Sequence, residues 1–216
     1  MDKEWRYERK FFSEALDESQ LYQQVKLNSY GFFEEFPERQ INNIYYDTEE
    51  LALYRHHISG SPNRDKIRIR WYGTQREQVI PVLEIKSKRG MVNSKEKFQF
   101  NPILLQEWKD EGFTLRRFDN EIVSRFKELS PKIYNSYSRK YFRSFDKKFR
   151  ITLDFKMSFS DPSRMKICEI NDAILELKYA EDHDREASHI TQHFPQRLTK
   201  YSKYVKAVEL TWQLVD

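Results

Sequence analysis

Six stretches of this 216-residue chain place charged or hydroxyl side chains at alternate positions: Arg6-x-Glu8-x-Lys10, Arg68-x-Arg70, Glu84-x-Lys86-x-Lys88, Lys95-x-Lys97, Arg139-x-Tyr141-x-Arg143 and Glu176-x-Lys178. A spacing of two puts such residues on one face of a β-strand. Most of the intervening positions, among them Tyr7, Phe11, Ile67, Ile69, Trp71, Leu83, Ile85, Leu175 and Leu177, are apolar and would face a core. Cations flanking a carboxylate on one strand face suit an anion handled together with a metal ion.

Charge is concentrated on these faces. On the strands read here, twelve basic residues (Arg6, Lys10, Arg68, Arg70, Lys86, Lys88, Lys95, Lys97, Arg139, Arg143, Arg150 and Lys178) outnumber four acidic ones (Glu8, Glu84, Asp154 and Glu176). The whole chain carries only +4, so the remainder is net acidic. Solvated sheet faces usually mix signs, because like charges directly across strands repel. Such an excess of cations is expected to hold a polyanion. The carboxylates add a further condition: a hard divalent cation, Mg²⁺ or Mn²⁺, takes carboxylate and phosphate oxygens together. Phosphoryl transfer needs positioning and charge neutralisation above all, which Arg, Lys and a metal provide. With no P-loop, Gly-rich phosphate turn or kinase signature, side chains would have to grip any nucleotide.

The elements that must position these residues form an α+β pattern. Strands are expected at residues 6–11, 41–47, 66–72, 82–88, 92–100, 133–144, 149–159, 166–170 and 173–179. Asn171-Asp172 is expected to turn a hairpin between the last two. Asp17 with Gln20 three positions later marks a helix start, and Gly31 a helix stop. Residues 51–54 suggest a helical turn, and 59–63 a loop. Two helices are expected in the middle, from Pro102 to Gly112 and from Asn120 to Leu129, the second ended by Pro131. The tail reads as helix over 184–194 and 196–205. A single domain over 1–216 is expected, since no linker sets the helical insert apart. The 13 Tyr, 16 Phe and 4 Trp supply the large buried surfaces of a core. Cys168 is the only cysteine, so no intramolecular disulfide can form. With no signal-peptide core and no long apolar run, a cytoplasmic protein without a membrane segment is expected.

In order along the chain, Arg6-x-Glu8-Arg9-Lys10, Arg68-x-Arg70, Leu83-Glu84-x-Lys86, Ser138-Arg139-x-Tyr141, Leu175-Glu176-x-Lys178 and Lys200-Tyr201-Ser202-Lys203-Tyr204 resemble the polyphosphate-polymerase domain of the vacuolar transporter chaperone (VTC) family, a branch of the triphosphate tunnel metalloenzymes. The resemblance implies an antiparallel β-barrel enclosing a tunnel, with flanking helices. It implies transfer of the γ-phosphate of ATP to a growing inorganic polyphosphate chain, with Mn²⁺ or Mg²⁺. By the same resemblance Lys10, Arg68, Arg70, Lys86, Arg139 and Arg150 would grip the triphosphate. Lys97 (or Lys95), Tyr137, Lys178, Lys200 and Lys203 would contact substrate, and Glu176 with Glu8 would face the metal. Many tunnel enzymes open on Glu-x-Glu-x-Lys; Arg6 stands here in place of the first Glu, which is similar to the polymerase branch.

Other readings remain open at this level. A triphosphate hydrolase differs only in the phosphoryl acceptor, and a catalytically silent polyphosphate-binding module would need the same cations. Single-stranded nucleic acid is disfavoured, since stacking requires aromatic rings on the cationic face and most lie opposite. His189 and His193, four apart, lack a third metal ligand.

Overall fold

The computed structural model describes residues 6–13, 17–73, 78–90, 92–118, 121–162 and 167–212. The side chain of Arg6 and the whole of Asn120 and Lys166 lie outside the described residues. In chain order the elements are β1 (Arg6–Ser13), α1 (Glu18–Lys26), β2 (Phe33–Asp47), α2 (Ala52–Ile58), β3 (Asn63–Tyr72), β4 (Gln78–Val79), β5 (Val82–Arg89), β6 (Val92–Gln99) and β7 (Ile103–Leu104). There follow α3 (Leu105–Asp110), α4 (Glu121–Ser124), β8 (Ser130–Arg143), β9 (Arg150–Ser160), β10 (Ile167–Ile170), β11 (Ala173–Ala180), α5 (Asp184–Thr191) and α6 (Lys203–Trp212).

The chain packs as two compact units, and β2, β8, β9 and β10 each contribute residues to both. The first comprises Met1–Arg39, Tyr137–Met157 and Glu169–Tyr201. Here β1 pairs antiparallel with β11, and β11 with β9. Alternation sends Phe11, Phe142, Ile151, Leu153, Leu175 and Leu177 to one side, where Leu21 and Val25 of α1 and Ile190 of α5 close a core. Arg9, the polar exception on that side of β1, is clamped to α5: its guanidinium donates to the Tyr179 hydroxyl at 2.7 Å and to Asp184 at 2.8 Å.

The second unit comprises Gln40–Ser136, Ser158–Cys168 and Ser202–Asp216. β3 pairs with β2 and β5, and β5 with β6, all antiparallel. Ile44, Tyr46, Ile67, Ile69, Leu83 and Ile85 form one wall of a core filled by Trp71, Trp108 and Phe113. Trp71 and Trp108 meet edge to face with centroids 5.5 Å apart, a favoured aromatic arrangement. α2 begins at Leu51 with φ 57° and no side-chain cap. Asp47 does that work instead: its carboxylate accepts from the amides of Thr48, Leu53 and Tyr54, and from the Tyr204 hydroxyl of α6.

Several boundaries differ from the sequence reading. α1 ends at Lys26, short of Gly31, and β2 starts at Phe33 rather than Ile41. Leu104 belongs to the short β4–β7 ladder, so α3 opens at Leu105. Past α4 the amides of Arg125, Phe126 and Leu129 each bond the carbonyl three residues back, giving turns instead of a helix to Leu129. Pro131 lies inside β8. Asn171 and Asp172 do not turn a hairpin, because β10 pairs with β9 while β11 pairs with β9 and β1. The expected helix over 196–205 starts only at Lys203: Leu198 bridges to Phe11, and the Thr199 amide bonds the Lys10 carbonyl. That stretch is held extended against β1, whose other side takes β11, and so covers an otherwise open strand edge.

Two substitutions test this account by urea denaturation. Asp17 and Gln20 form a reciprocal capping box, and Asp17→Ala should cost about 1 kcal/mol. Asp47→Ala strips three amides and a phenol of their acceptor and should cost more, on the order of 3 kcal/mol.

Candidate functional site

The predicted site residues fall into two groups. In the second unit the polar faces of β3, β5 and β6 lie side by side. Across them the register places Arg68 opposite Glu84 and Glu84 opposite Lys97, with Lys66 opposite Lys86 and Lys86 opposite Lys95. Lys66, Lys86 and Lys95 therefore form a row of three cations on adjacent strands, about 5 Å apart. Lys66, left out of the expected set, donates to the Ser202 hydroxyl at 2.9 Å.

Glu84 organises this face. Its side chain is only 5% exposed, and four cations surround it: Arg68 at 2.5 Å, Lys95 at 2.9 Å, and Arg70 and Lys97 at 3.8 Å. Burial alone would raise the carboxyl's pKa, but Arg68, Arg70 and Lys95 hold it well below the usual carboxylate range. The arginines are fixed from a second side. Arg70 donates to Asn43 at 2.9 Å, and Asn43 leans on Asn135 at 3.3 Å. Arg68 donates to the Tyr45 hydroxyl at 3.0 Å, and the Tyr45 ring stacks on Tyr204. Lys95 keeps 40% of its side chain exposed. Partial burial, with Arg68 and Lys97 nearby and against the pull of Glu84, brings its pKa down to about 8.

In the first unit the signs interleave. Cross-strand partners on the polar face are Glu8 with Lys178, Lys10 with Glu176, and Lys178 with Arg150. Arg139 grips fully buried Asp154 through two nitrogens, at 2.5 and 2.7 Å. Burial opposes its charge, yet Asp154 keeps the guanidinium's pKa well above its ordinary value. Arg143 is held by Glu35 at 2.6 Å, and Arg150 lies 3.8 Å from the same carboxylate. Tyr137 is buried beneath Arg139, with the guanidinium 5.4 Å from its ring centre. Lys200 is exposed on the stretch that follows α5, and Lys203 is the first residue of α6 in the second unit.

The expected metal carboxylates are brought together. Glu8 and Glu176 both approach the Lys178 ammonium, at 3.7 and 3.0 Å, so two hard oxygen donors already converge on one cation. This fits a divalent ion whose remaining positions are filled by phosphate oxygens and water, as Mg²⁺ commonly binds. Among the described residues no group of three His, Cys, Asp or Glu could hold a metal unaided. His189 and His193 are both exposed.

Sequence reasoning missed Glu35, Asn43, Tyr45 and Lys66 as parts of these faces. Lys66 stands at the alternate position before Arg68-x-Arg70 and could have been read from parity. Glu35 lies in a part of β2 interrupted by Pro37, an ordinary argument against a strand.

Two tests follow. Glu84→Gln leaves its surrounding cations without a counter-charge and should destabilise the free protein by about 3 kcal/mol near pH 7. Because the folded pKa is depressed, the wild-type advantage should be complete above about pH 4 and fade as acid protonates Glu84. Thermal melts should also show tripolyphosphate stabilising Glu84→Gln more than wild type, since the anion replaces the missing charge. Second, an anion bound beside Lys95 prefers the ammonium. Tripolyphosphate affinity should hold steady below pH 8 and fall above it, by up to about tenfold per pH unit, and Lys95→Arg should flatten that fall.

Comparison with known proteins locates this arrangement. No curated protein matches the sequence. A solved structure of a candidate adenylate cyclase from Vibrio parahaemolyticus is similar, with 13% identity, a TM-score of 0.53, and coverage of 94% of this chain and 97% of that one. At that identity the likeness speaks for the fold alone, an antiparallel sheet of the triphosphate-tunnel type. An acyl-CoA hydrolase from Agrobacterium tumefaciens, at 6% identity over 82% of this chain and 96% of that one, has a TM-score of 0.20 and carries no argument. The VTC domain matches residues 6–212, nearly the whole chain and all of its charged strands; the chain belongs to the VTC domain family.

Proposed function

We propose that this protein is a metal-dependent polyphosphate polymerase that transfers the γ-phosphate of ATP to the end of an inorganic polyphosphate chain. The observation that carries the reading is the row Lys66–Lys86–Lys95 beside the Glu84-centred arginines, a face on which cations outnumber carboxylates. Membership of the VTC domain family supports it.

In the reaction a terminal oxygen of the polyphosphate chain attacks the γ-phosphorus. The bond from that phosphorus to the β–γ bridging oxygen breaks, and ADP leaves with the electron pair. Arg68, Arg70, Lys86 and Lys95 would neutralise the phosphate oxygens, with Lys97 at the exposed margin. Taken by itself, the first unit has its own candidates for phosphate contact in Lys10, Arg139, Arg150, Lys178 and Lys200, and Lys203 is a further candidate of the second. Arg68 and Arg70 need little reorganisation, because Glu84, Tyr45 and Asn43 already hold them. A divalent cation, Mn²⁺ or Mg²⁺, would be held by Glu176 and Glu8 and would supply further charge neutralisation. Lys178 is the cation that now stands between those carboxylates. A cytoplasmic setting, where ATP is plentiful, suits this reading, and no helix among the described residues is long and apolar enough to cross a membrane.

The test is incubation with ATP and Mn²⁺, with products resolved by size on a gel. A ladder of long chains is expected; orthophosphate without long chains would make the protein a hydrolase, and tight polyphosphate binding without turnover a silent module. Glu176→Gln should lower turnover by roughly a hundredfold while polyphosphate binding persists. Unchanged turnover in that variant would remove Glu176 from the metal's set.

A further inference from the structure

From the proposed phosphate ligand Arg139 of the first unit a column of rings and guanidiniums runs outward to residues with no proposed phosphate role. Phe36 of β2 meets Tyr141 of β8 edge to face, with ring centres 5.8 Å apart. The Arg39 guanidinium lies 5.2 Å from the Phe36 ring centre and 5.7 Å from that of Tyr141. Arg139 continues the series, 6.0 Å from Tyr141 and 5.4 Å from Tyr137. The column is graded: Phe36 is 43% exposed, Tyr141 half-buried and Tyr137 buried. Its inner end is a proposed phosphate ligand, and its outer end shows an aromatic ring and a guanidinium to solvent.

Packing does not explain that outer end. A ring with two-fifths of its surface in water adds little to a core, and Phe36 is absent from the buried cluster of its unit. What exposed aromatic faces and guanidinium planes do well is stack on a flat π-system, and every nucleobase offers one. Tyr141 stands two residues along β8 from both Arg139 and Arg143, about 7 Å to either side. A ribose can bridge a gap of that order, so a base on the column would leave its phosphates near those arginines.

We propose that Phe36, Arg39 and Tyr141 form a stacking site for the base of the nucleoside triphosphate donor. The inference rests on the proposed use of a nucleotide and names the part of the site that separates a nucleotide from bare tripolyphosphate. Stacking with no base-edge hydrogen bonds tolerates any base, so purine triphosphates should be preferred for ring area alone, ATP and GTP alike.

Titration calorimetry with ATP and with inorganic tripolyphosphate, at one fixed metal concentration, tests this on the full chain. Phe36→Ala should weaken ATP binding roughly tenfold and leave tripolyphosphate binding within about twofold. Phe36→Trp should restore ATP affinity, whereas Phe36→Leu, apolar but not aromatic, should not. Phe33→Ala, which removes another exposed ring of β2 outside the column, should change neither ligand. Equal losses for both ligands in Phe36→Ala, no loss for either, or rescue by Phe36→Leu would overturn the stacking site. A wild-type protein that binds tripolyphosphate as tightly as ATP would overturn it too, with the phosphate-binding faces left standing. One that binds neither would instead bring down the proposed function itself.

Discussion

A buried carboxylate surrounded by cations constrains the second unit more than any other interaction. Glu84 could not be ionised at its depth without Arg68, Arg70 and Lys95, and those side chains could not be crowded together without Glu84. Asn43 and Tyr45 then hold the two arginines from β2, and Tyr204 of α6 stacks on Tyr45. Cation direction is therefore set by a network of hydrogen bonds, and little is left to adjust when an anion arrives. The register also sets Lys66, Lys86 and Lys95 across from one another on adjacent strands, and the repulsion between such neighbours favours a bound polyanion.

The first unit solves the same problem differently. Four carboxylates, Glu8, Glu35, Asp154 and Glu176, are distributed among Lys10, Lys178, Arg139, Arg143 and Arg150, so most of these cations have a carboxylate close by. The cationic excess counted from the strand sequences is thus uneven: concentrated around one carboxylate in the second unit, interleaved in the first. Asp154 grips Arg139 at zero exposure, which suits orientation. Glu8 and Glu176 share one lysine and keep some solvent contact, which suits exchange of that cation for another.

The opposite faces of these strands explain why the arrangement survives. Leu175 and Leu177 in one unit, and Ile67, Ile69, Leu83 and Ile85 in the other, each anchor a strand whose other face carries charge. A slip of one residue in register would bury lysines and expose leucines, so the core fixes which charges are neighbours. Even Arg9, which breaks the alternation of β1, is accommodated by five polar groups, among them Tyr179, Asp184, Ser188 and Thr191.

Period-two alternation was readable wherever both strand faces are chemically distinct, and this gave β1, β3, β5, β6, β8, β9 and β11 with their cationic faces, while the phosphate-ligand roles rested on the family resemblance. The capping box of α1 was readable for the same reason, being local. What stayed hidden depends on partners distant in sequence. The first half of β2, with Pro37 in its middle, is strand in a sheet where β8 pairs with β2, and Glu35 came with it. Within the stretch 196–202 the edge of β1 takes Leu198 as a bridge partner and the Thr199 amide as a donor, contacts no local sequence pattern announces. The sequence by itself determined which residues share a face. Only the tertiary structure decided which faces meet, making Glu84 the centre of four cations and setting Phe36 against Tyr141, because strand register and pairing depend on contacts between strands and not on any one strand's own sequence.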